Sequence, residues 1–382
     1  MKTRFMLAAV SAAVLLSACG GGGNSGDTKT QATAVTVVGA SLADSGTFGY
    51  KFTVQAAGGT SYKVYSERIA ATYGISGFCN AYSGVSFTRV TGCTNFAVAG
   101  ARVNYTVTSG GTTTAVESVP MSQIKQLVDA GNAGFSSKDV LIVGEGSAND
   151  MATVLTSLST PATFQGIMLT LLSGSAFTTA MEQDPSGAAA GVLYFQALAD
   201  KLVGAVATNA LDKGAQRVAI LNILDVTRTP RFQAVLAGLD TASATGLKAI
   251  ATAWIQAYNA RLAENVASYA GKVVVVDFYT NFNSEMDTPA QFGLSNVNQT
   301  VCDQVVNANG TLAPGATSLS DAATVGRCTD TNASAITPTA GADGTTTWWQ
   351  KYLYADSFHP TPYGHQLLAQ MVAKRLTEAG WL

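Results

Sequence analysis

The sequence has few charged residues: they make up 12% of its 382 residues, about half the roughly 25% usual in soluble domains. Its 22 basic side chains are outnumbered by 24 acidic ones. Binding to nucleic acid is therefore not expected, because no excess of positive charge can neutralise a phosphate backbone. The 38 glycines follow no collagen-like period, which excludes a fibrous protein. With 47% hydrophobic residues, the chain has enough apolar surface to bury a large core.

Cysteine and histidine are also scarce, with five and two residues. No C-x-x-C or H-E-x-x-H motif and no tight cluster of the two residue types occurs, so neither a metal site nor a cofactor is expected. Apart from Cys19, the cysteines are Cys79, Cys93, Cys302 and Cys328, which allow three pairings. Proximity in sequence favours Cys79 with Cys93 and Cys302 with Cys328. Each bond would stabilise the fold by about 3 kcal/mol.

The first residues have the features of an exported, lipid-anchored protein. Lys2 and Arg4 precede an apolar stretch, residues 5–16, that is too short to span a bilayer and is typical of a secretory signal. The ending Leu-Ser-Ala-Cys resembles the lipobox of bacterial lipoproteins. This resemblance implies a signal peptide over residues 1–18 and lipid modification of Cys19, which would hold the protein at a membrane surface.

Residues 19–33 read as a flexible, glycine-rich tether between the anchor and the fold. They contain a G-x-G-x-x-G match, but no predicted strand precedes it and no helix follows, so a dinucleotide site is not expected. The residue after Cys19 is Gly20 rather than the Asp linked with retention in the inner membrane. The sequence therefore favours anchoring in the outer membrane.

From residue 34 onward, short β-branched runs alternate with longer Ala/Leu-rich segments. Continuous apolar runs of this length suit strands that are buried on both faces of a parallel sheet. Strands alternating with helices predict one doubly wound α/β domain over residues 34–382, with ligands at the carboxyl ends of the strands. The predicted strands are 35–38, 140–143, 217–221 and 272–277, and the clearest helices are 191–207 and 247–270.

The C-terminal part contains an amphipathic helix and a low-periodicity segment. Leu367, Leu368, Met371, Val372 and Leu376 recur at helical spacing, which predicts a helix packed on the sheet. The preceding segment, 303–346, is rich in Thr, Ala, Gly and Asn and reads as a long loop. Long loops in compact domains are often functional, so this segment is a candidate lid.

Both histidines lie in the segment Asp356-Ser-Phe-His-Pro-Thr-Pro-Tyr-Gly-His365, so a catalytic histidine base must come from it. Asp356 precedes His359 by three residues, a spacing that can place both side chains on one side of a turn. The carboxylate could then hold the imidazole Nδ1 proton and leave Nε2 free to accept a proton from a hydroxyl. His365 begins the last helix and is favoured as a packing residue.

A candidate nucleophile follows the first predicted strand. Ser41 lies in Gly39-Ala-Ser-Leu, between small residues, where its Oγ can be exposed and its own N–H offered to an oxyanion. The alternative is a serine that caps the next helix. Two further segments follow a strand-to-turn pattern, Asn95-Phe-Ala-Val-Ala-Gly-Ala101 and Gly144-Glu-Gly-Ser-Ala-Asn-Asp150. Asp150 is interpreted as fixing its turn rather than as a catalytic group.

Together, these segments resemble the conserved blocks of the SGNH, or GDSL, hydrolase superfamily, and segments between the blocks extend the resemblance over nearly all of residues 34–382. The resemblance implies a flavodoxin-like fold and hydrolysis of acyl esters through a serine acyl-enzyme. It assigns Ser41, Asp356 and His359 to catalysis. It assigns the Ser41 N–H, the Gly100 N–H and the Asn149 side chain to the oxyanion hole.

Two positions depart from the family pattern. Ala40 stands where the family usually has Asp, and Ser147 replaces a glycine. The hydroxyl, the base and the amide are all kept, so an esterase or lipase is the leading prediction. The alternatives are an acyl esterase or acyltransferase acting on cell-surface glycans, which uses the same residues, and a non-catalytic lipoprotein that binds acylated ligands.

Aromatic residues near the predicted base are candidates for the substrate pocket. Trp348 and Trp349 come a few residues before Asp356, and Phe358 lies between the two catalytic candidates. Such residues either line an acyl pocket or pack in the core. We retain all three as pocket candidates.

Overall fold

A computed structural model describes residues 32–58, 61–307, 318–319, 322–337 and 344–382. The predicted signal peptide, Cys19 and nearly all of the predicted tether lie outside the described residues.

The described chain alternates short strands and helices. The strands are β1 (Val35–Val38), β2 (Tyr82–Ser83), β3 (Thr88–Arg89), β4 (Thr106–Ser109), β5 (Thr112–Ala115), β6 (Val140–Val143), β7 (Val218–Leu221), β8 (Val273–Val276), β9 (Asn296–Thr300) and β10 (Tyr352–Tyr354). The helices are α1 (Tyr65–Thr72), α2 (Gln123–Ala133), α3 (Gly146–Ser157), α4 (Pro161–Met168), α5 (Gly174–Gln183), α6 (Ala188–Asn209), α7 (Pro230–Ala237), α8 (Thr241–Ala267), α9 (Phe278–Asp287), α10 (Val301–Asn307), α11 (Ala322–Arg327), α12 (Asp330–Ser334) and α13 (Pro362–Glu378).

The central sheet is formed by the four apolar runs that the sequence predicts as strands. They pair in parallel in the order β1-β6-β7-β8, and nearly all their side chains are buried. Asn95 forms a parallel bridge with Val37, which places its segment beside β1 on the outer side. The spatial order of the five segments is therefore that of a flavodoxin-like sheet, and the carboxyl ends of its strands form one edge where ligands bind.

Helices cover both faces of this sheet. On one face α1 contacts β1, α13 contacts β8, and the two helices pack together. On the other face α2 contacts β1, α8 contacts β8, and α6 lies between them. The prediction of a three-layer α/β/α fold with a doubly wound, mostly parallel sheet is thus confirmed.

Helices α6 and α8 pack tightly against each other. A Cβ at Gly191 of α6 would lie 2.0 Å from the Trp254 ring, so the indole packs directly on the α6 backbone, and its Nε1 donates to Ala188 O at 2.9 Å. Among the described residues, one helical stretch, Ala188–Lys213, has the length and apolar composition needed to cross a membrane. Half of its most apolar window is buried inside the fold.

A second, smaller hydrophobic cluster lies beside the sheet. It joins Phe52, Trp348 and Tyr352 to the short helices α10 and α12. The described parts of the segment predicted as a loop over 303–346 therefore include short helices, α11 among them, and this prediction is corrected accordingly. Packing and a disulfide bond hold these helices, which are too short to be stable alone.

Both disulfide bonds favoured by proximity are present. Cys79 pairs with Cys93, and Cys302 pairs with Cys328. The second bond links α10 to the residue that follows α11, within the smaller cluster.

Candidate active site

Ser41, His359 and Asp356 meet at the carboxyl edge of the sheet. Ser41 follows β1, and its Oγ lies 2.9 Å from His359 Nε2 although 318 residues separate the two in sequence. His359 Nδ1 lies 2.9 and 2.8 Å from the two carboxylate oxygens of Asp356. A hydroxyl, an imidazole and a carboxylate are thus connected in the order that lets the imidazole take the hydroxyl proton.

The Asp356 carboxylate is held by its own turn. Its Oδ1 accepts from the N–H groups of Phe358 and His359 at 2.8 and 2.6 Å, and its Oδ2 accepts from Leu319 N–H at 2.7 Å. Burial acts to raise the pKa of Asp356, but the His359 imidazole and the N–H donors hold this pKa below its ordinary value. The carboxylate is therefore charged at neutral pH and can stabilise an imidazolium.

In the turn that carries Ser41, the neighbouring N–H groups are all engaged. Gly39 N–H donates to Gln126, and the N–H groups of Ala40, Leu42 and Ala43 donate to Glu145 Oε1. Asp44 N–H donates to Ala40 O. Within the described residues, the Ser41 N–H is left without an acceptor in this turn.

The segment that carries Gly100 shows the same pattern. Ala99 N–H donates to Asp44 Oδ2 at 2.9 Å and Ala101 N–H donates to Val98 O at 3.0 Å, while no described group accepts from Gly100 N–H. The φ of Gly100 is +80°, in the left-handed region that favours glycine, and an added Cβ would lie 3.1 Å from the end of Met121. Among the described residues, the N–H groups of Ser41 and Gly100 therefore have no acceptor and are available to bind an oxyanion.

Asn149 supplies a third donor from the first turn of α3. Its Nδ2 donates one hydrogen to Ala101 O at 3.0 Å, which fixes the amide beside Gly100 and leaves the second hydrogen for a ligand.

The next residue, Asp150, points away from the cavity lining and accepts from the N–H groups of Val103 and Asn104 at 2.7 and 3.1 Å. Its contacts agree with a turn-fixing role. Burial raises the pKa of Asp150 to about 7.

One open cavity of about 290 Å³ lies over the site, and Asp356, which is fully buried, does not line it. Ser41, Gly100, Asn149 and His359 all line it. Phe358 lines it too and also borders an adjoining apolar cleft formed with α3, α7 and the start of α8. The structure thus places Phe358 at the cavity, and its role as a substrate-pocket residue stays a prediction.

The two tryptophans lie elsewhere. Trp348 is fully buried in the smaller cluster, where its Nε1 donates to Ala333 O and Ile336 O. Trp349 is also buried and borders a different surface cavity, on the side of Tyr62 and Arg68. Neither tryptophan lines the cavity that contains Ser41, so their interpretation as acyl-pocket residues is corrected. Both pack in the smaller cluster, in the segment that precedes β10 and Asp356.

His365 is buried and packs at the start of α13. Its Nε2 lies 3.2 Å from Phe52 O, and no described group binds its Nδ1. Burial lowers the pKa of His365 to about 3, so this histidine is uncharged at neutral pH. The structure brings His359, and not His365, to the serine.

Sequence reasoning missed three groups that hold this site. They are Glu145, Asp44 and the Leu319 N–H. Glu145 directly follows Gly144 at the end of β6, and a charged residue that follows a wholly buried strand is the one signal that pointed to it. The other two are identified only by their contacts.

Comparison with known proteins agrees with this geometry. A search of curated proteins found no relative. The family model described as GDSL-like lipase/acylhydrolase matches residues 35–372, which include β1, the segments that carry Gly100 and Asn149, and the Asp356–His359 turn. The chain therefore belongs to the GDSL-like lipase/acylhydrolase family and is an ester hydrolase.

Proposed function

We propose that the protein is a carboxylic ester hydrolase that works through an acyl-enzyme on Ser41. His359 Nε2 takes the proton of Ser41 Oγ as the oxygen attacks the ester carbonyl carbon, and Asp356 stabilises the imidazolium. The bond to the alcohol oxygen then breaks, and His359 returns the proton to the leaving alcohol. A water molecule, activated in the same way, attacks the acyl-enzyme and releases the carboxylic acid.

The negative charge of each tetrahedral intermediate falls on the former carbonyl oxygen. The N–H groups of Ser41 and Gly100 and the side chain of Asn149 would receive it; in support, these residues line the cavity, and no described group accepts from the two N–H groups. Donors that are fixed before the reaction need no reorganisation when the charge develops. Removing one such donor costs about 2.7 to 4 kcal/mol in typical enzymes.

One observation carries the proposal: the hydroxyl of Ser41 lies 2.9 Å from an imidazole whose other nitrogen contacts a buried carboxylate. A non-catalytic acyl-binding protein has no need of this alignment. Acyl transfer to a surface glycan would use the same residues. The two reactions differ only in whether water or a sugar hydroxyl attacks the acyl-enzyme.

We also propose that the protein works at the bacterial cell envelope, exported by residues 1–18 and anchored through lipidated Cys19. The Leu-Ser-Ala-Cys ending and the glycine-rich stretch after it support this proposal. When cells are lysed and fractionated, the mature chain should be found in the membrane fraction, and a Cys19→Ser variant should not. Equal membrane association of both would contradict the anchor.

The catalytic proposal is tested with chromogenic esters of increasing acyl length and a fluorophosphonate probe. We expect the wild type to hydrolyse them and to be labelled at Ser41, and Ser41→Ala to lose at least about a thousandfold in kcat and all labelling. A sugar acceptor added to the assay distinguishes transfer from hydrolysis. A Ser41→Ala variant with full activity would overturn the mechanism.

A further inference from the structure

A buried carboxylate lies directly behind the nucleophile. Glu145 follows β6, and its Oε1 accepts from the N–H groups of Ala40, Leu42 and Ala43 at 3.0, 2.9 and 3.3 Å. Its Oε2 lies 3.4 Å from the hydroxyl of Tyr65. The side chain is 3% exposed and does not line the cavity that contains Ser41, so it cannot touch a substrate there.

The three bonds select which N–H of the turn stays available. Without Glu145, the N–H groups on both sides of Ser41 would be buried donors lacking their acceptor, and such groups are costly. The turn would then rotate to find other partners. With Glu145 present, the Ser41 N–H is the one N–H of this turn from which no described group accepts, and Ser41 lines the cavity.

Glu145 also joins two parts of the site. It immediately precedes α3, and Asn149 lies four residues further on in the first turn of that helix. The Glu145 side chain therefore fixes the position of the nucleophile turn relative to the helix that carries the Asn149 amide. Position 40 carries an alanine, so the residue before the nucleophile contributes no carboxylate of its own.

We propose that Glu145 is a positioning residue, which sets the Ser41 N–H and, through α3, the Asn149 amide at the geometry that the tetrahedral intermediate needs. This inference rests on the proposed acyl-enzyme function. It predicts that Glu145 acts on the chemical step rather than on the binding of the ester. A carbonyl oxygen at the same place should serve nearly as well, because the three N–H groups need an acceptor and not a negative charge.

The test compares three substitutions at this position. For Glu145→Ala, we expect kcat to fall about 10- to 100-fold and KM for a short ester to stay within about twofold, since a small misplacement costs this much in rate. Fluorophosphonate labelling of Ser41 should slow in parallel. Glu145→Gln keeps the acceptor and should retain kcat within about threefold.

Glu285 provides the matched control. It is another buried glutamate, 5% exposed, on α9 and outside the cavity of the catalytic serine. Glu285→Ala should change the melting temperature but leave kcat unchanged. If Glu145→Ala fails to fold, Glu145→Asp carries the test: its shorter side chain cannot reach all three N–H groups, so kcat should fall about tenfold in a folded protein.

The outcomes are distinct. If Ser41 is essential but folded Glu145→Ala or Glu145→Asp keeps the wild-type kcat and only melts earlier, Glu145 is merely structural and the inference is overturned. If Ser41→Ala itself remains active, the acyl-enzyme proposal fails first. A rise in KM at unchanged kcat would also contradict a positioning role.

Discussion

The two halves of the active site are built in different ways. The nucleophile half, residues 39–44 with Glu145, follows two adjacent strands of the central sheet and is held by side-chain acceptors within the main core. The base half, residues 355–359, follows the three-residue strand β10 and rests on the smaller cluster of short helices, buried aromatics and one disulfide bond.

This difference separates two kinds of sensitivity. The nucleophile half owes its geometry to a few hydrogen bonds at the edge of the central sheet, so changes there should alter the reaction directly, in addition to any cost in stability. The base half has little regular structure around it, and Cys302 N–H donates to Ala355 O at 2.7 Å, directly before Asp356. Substitutions in the smaller cluster should therefore shift His359, because that cluster supports the turn that carries this residue.

The largest effect is expected at the carboxylate of the base half. In Asp356→Asn, the amide can donate to His359 Nδ1 and so favour the wrong tautomer, with Nε2 no longer able to accept the proton of Ser41. We expect kcat to fall about ten-thousandfold with the fold retained. Steady-state kinetics on a short chromogenic ester, with thermal melting as the check on folding, measures this.

Asp150 is the matched control, a second buried carboxylate close to the oxyanion donors. It binds the N–H groups of Val103 and Asn104 and makes no contact with the imidazole. Asp150→Asn should lower kcat by no more than about tenfold. Equal losses in the two variants would mean that any buried carboxylate near the site matters in the same way, and the assigned role of Asp356 would be wrong.

The second prediction compares the two disulfide bonds. Removing either should cost about 2–4 kcal/mol of stability. Removing Cys302–Cys328 should also lower kcat about tenfold at a temperature where the protein stays folded, because that bond supports the base half. Paired Cys→Ser substitutions, assayed for melting temperature and kcat, test this. If kcat is equally insensitive to both, the smaller cluster does not support catalysis.

Much of the fold could be predicted from the sequence because its signals are local. Runs such as Val140–Val143 are continuous and apolar, and a buried parallel strand is the structure they favour. The serine and histidine segments could be identified for the same reason, since each block carries its residues at short spacing. Their meeting across 318 residues was implied by the resemblance alone.

What could not be predicted depends on contacts between distant segments. Glu145 accepts from residues more than a hundred positions away, and no periodicity reports which N–H groups a side chain will reach. Trp348 could be read as a pocket wall or, more commonly for such aromatics, as core, and only its neighbours decide between the two. Helix α12 has five residues, too few to show a helical pattern, and is stable only through packing.

The smallest expected effect concerns the rim between the two halves. Arg231 is exposed at the start of α7 and borders the catalytic cavity, the apolar cleft beside Phe358 and a second cleft along Arg102 and α3. Its backbone N–H donates to Ser357 O in the base half. Among the described residues, no Asp or Glu lines these three cavities. The guanidinium should therefore favour esters that carry a negative charge.

The test compares hydrolysis of nitrophenyl butyrate with that of the nitrophenyl monoester of succinate, two substrates that differ mainly in that charge. Arg231→Gln should lower kcat/KM for the anionic ester relative to the neutral one by roughly 1.4- to 5-fold, the range of an exposed ion pair. Arg231→Lys should retain most of the preference, and added salt should reduce it in the wild type. A ratio unchanged by Arg231→Gln would show that the rim does not read substrate charge.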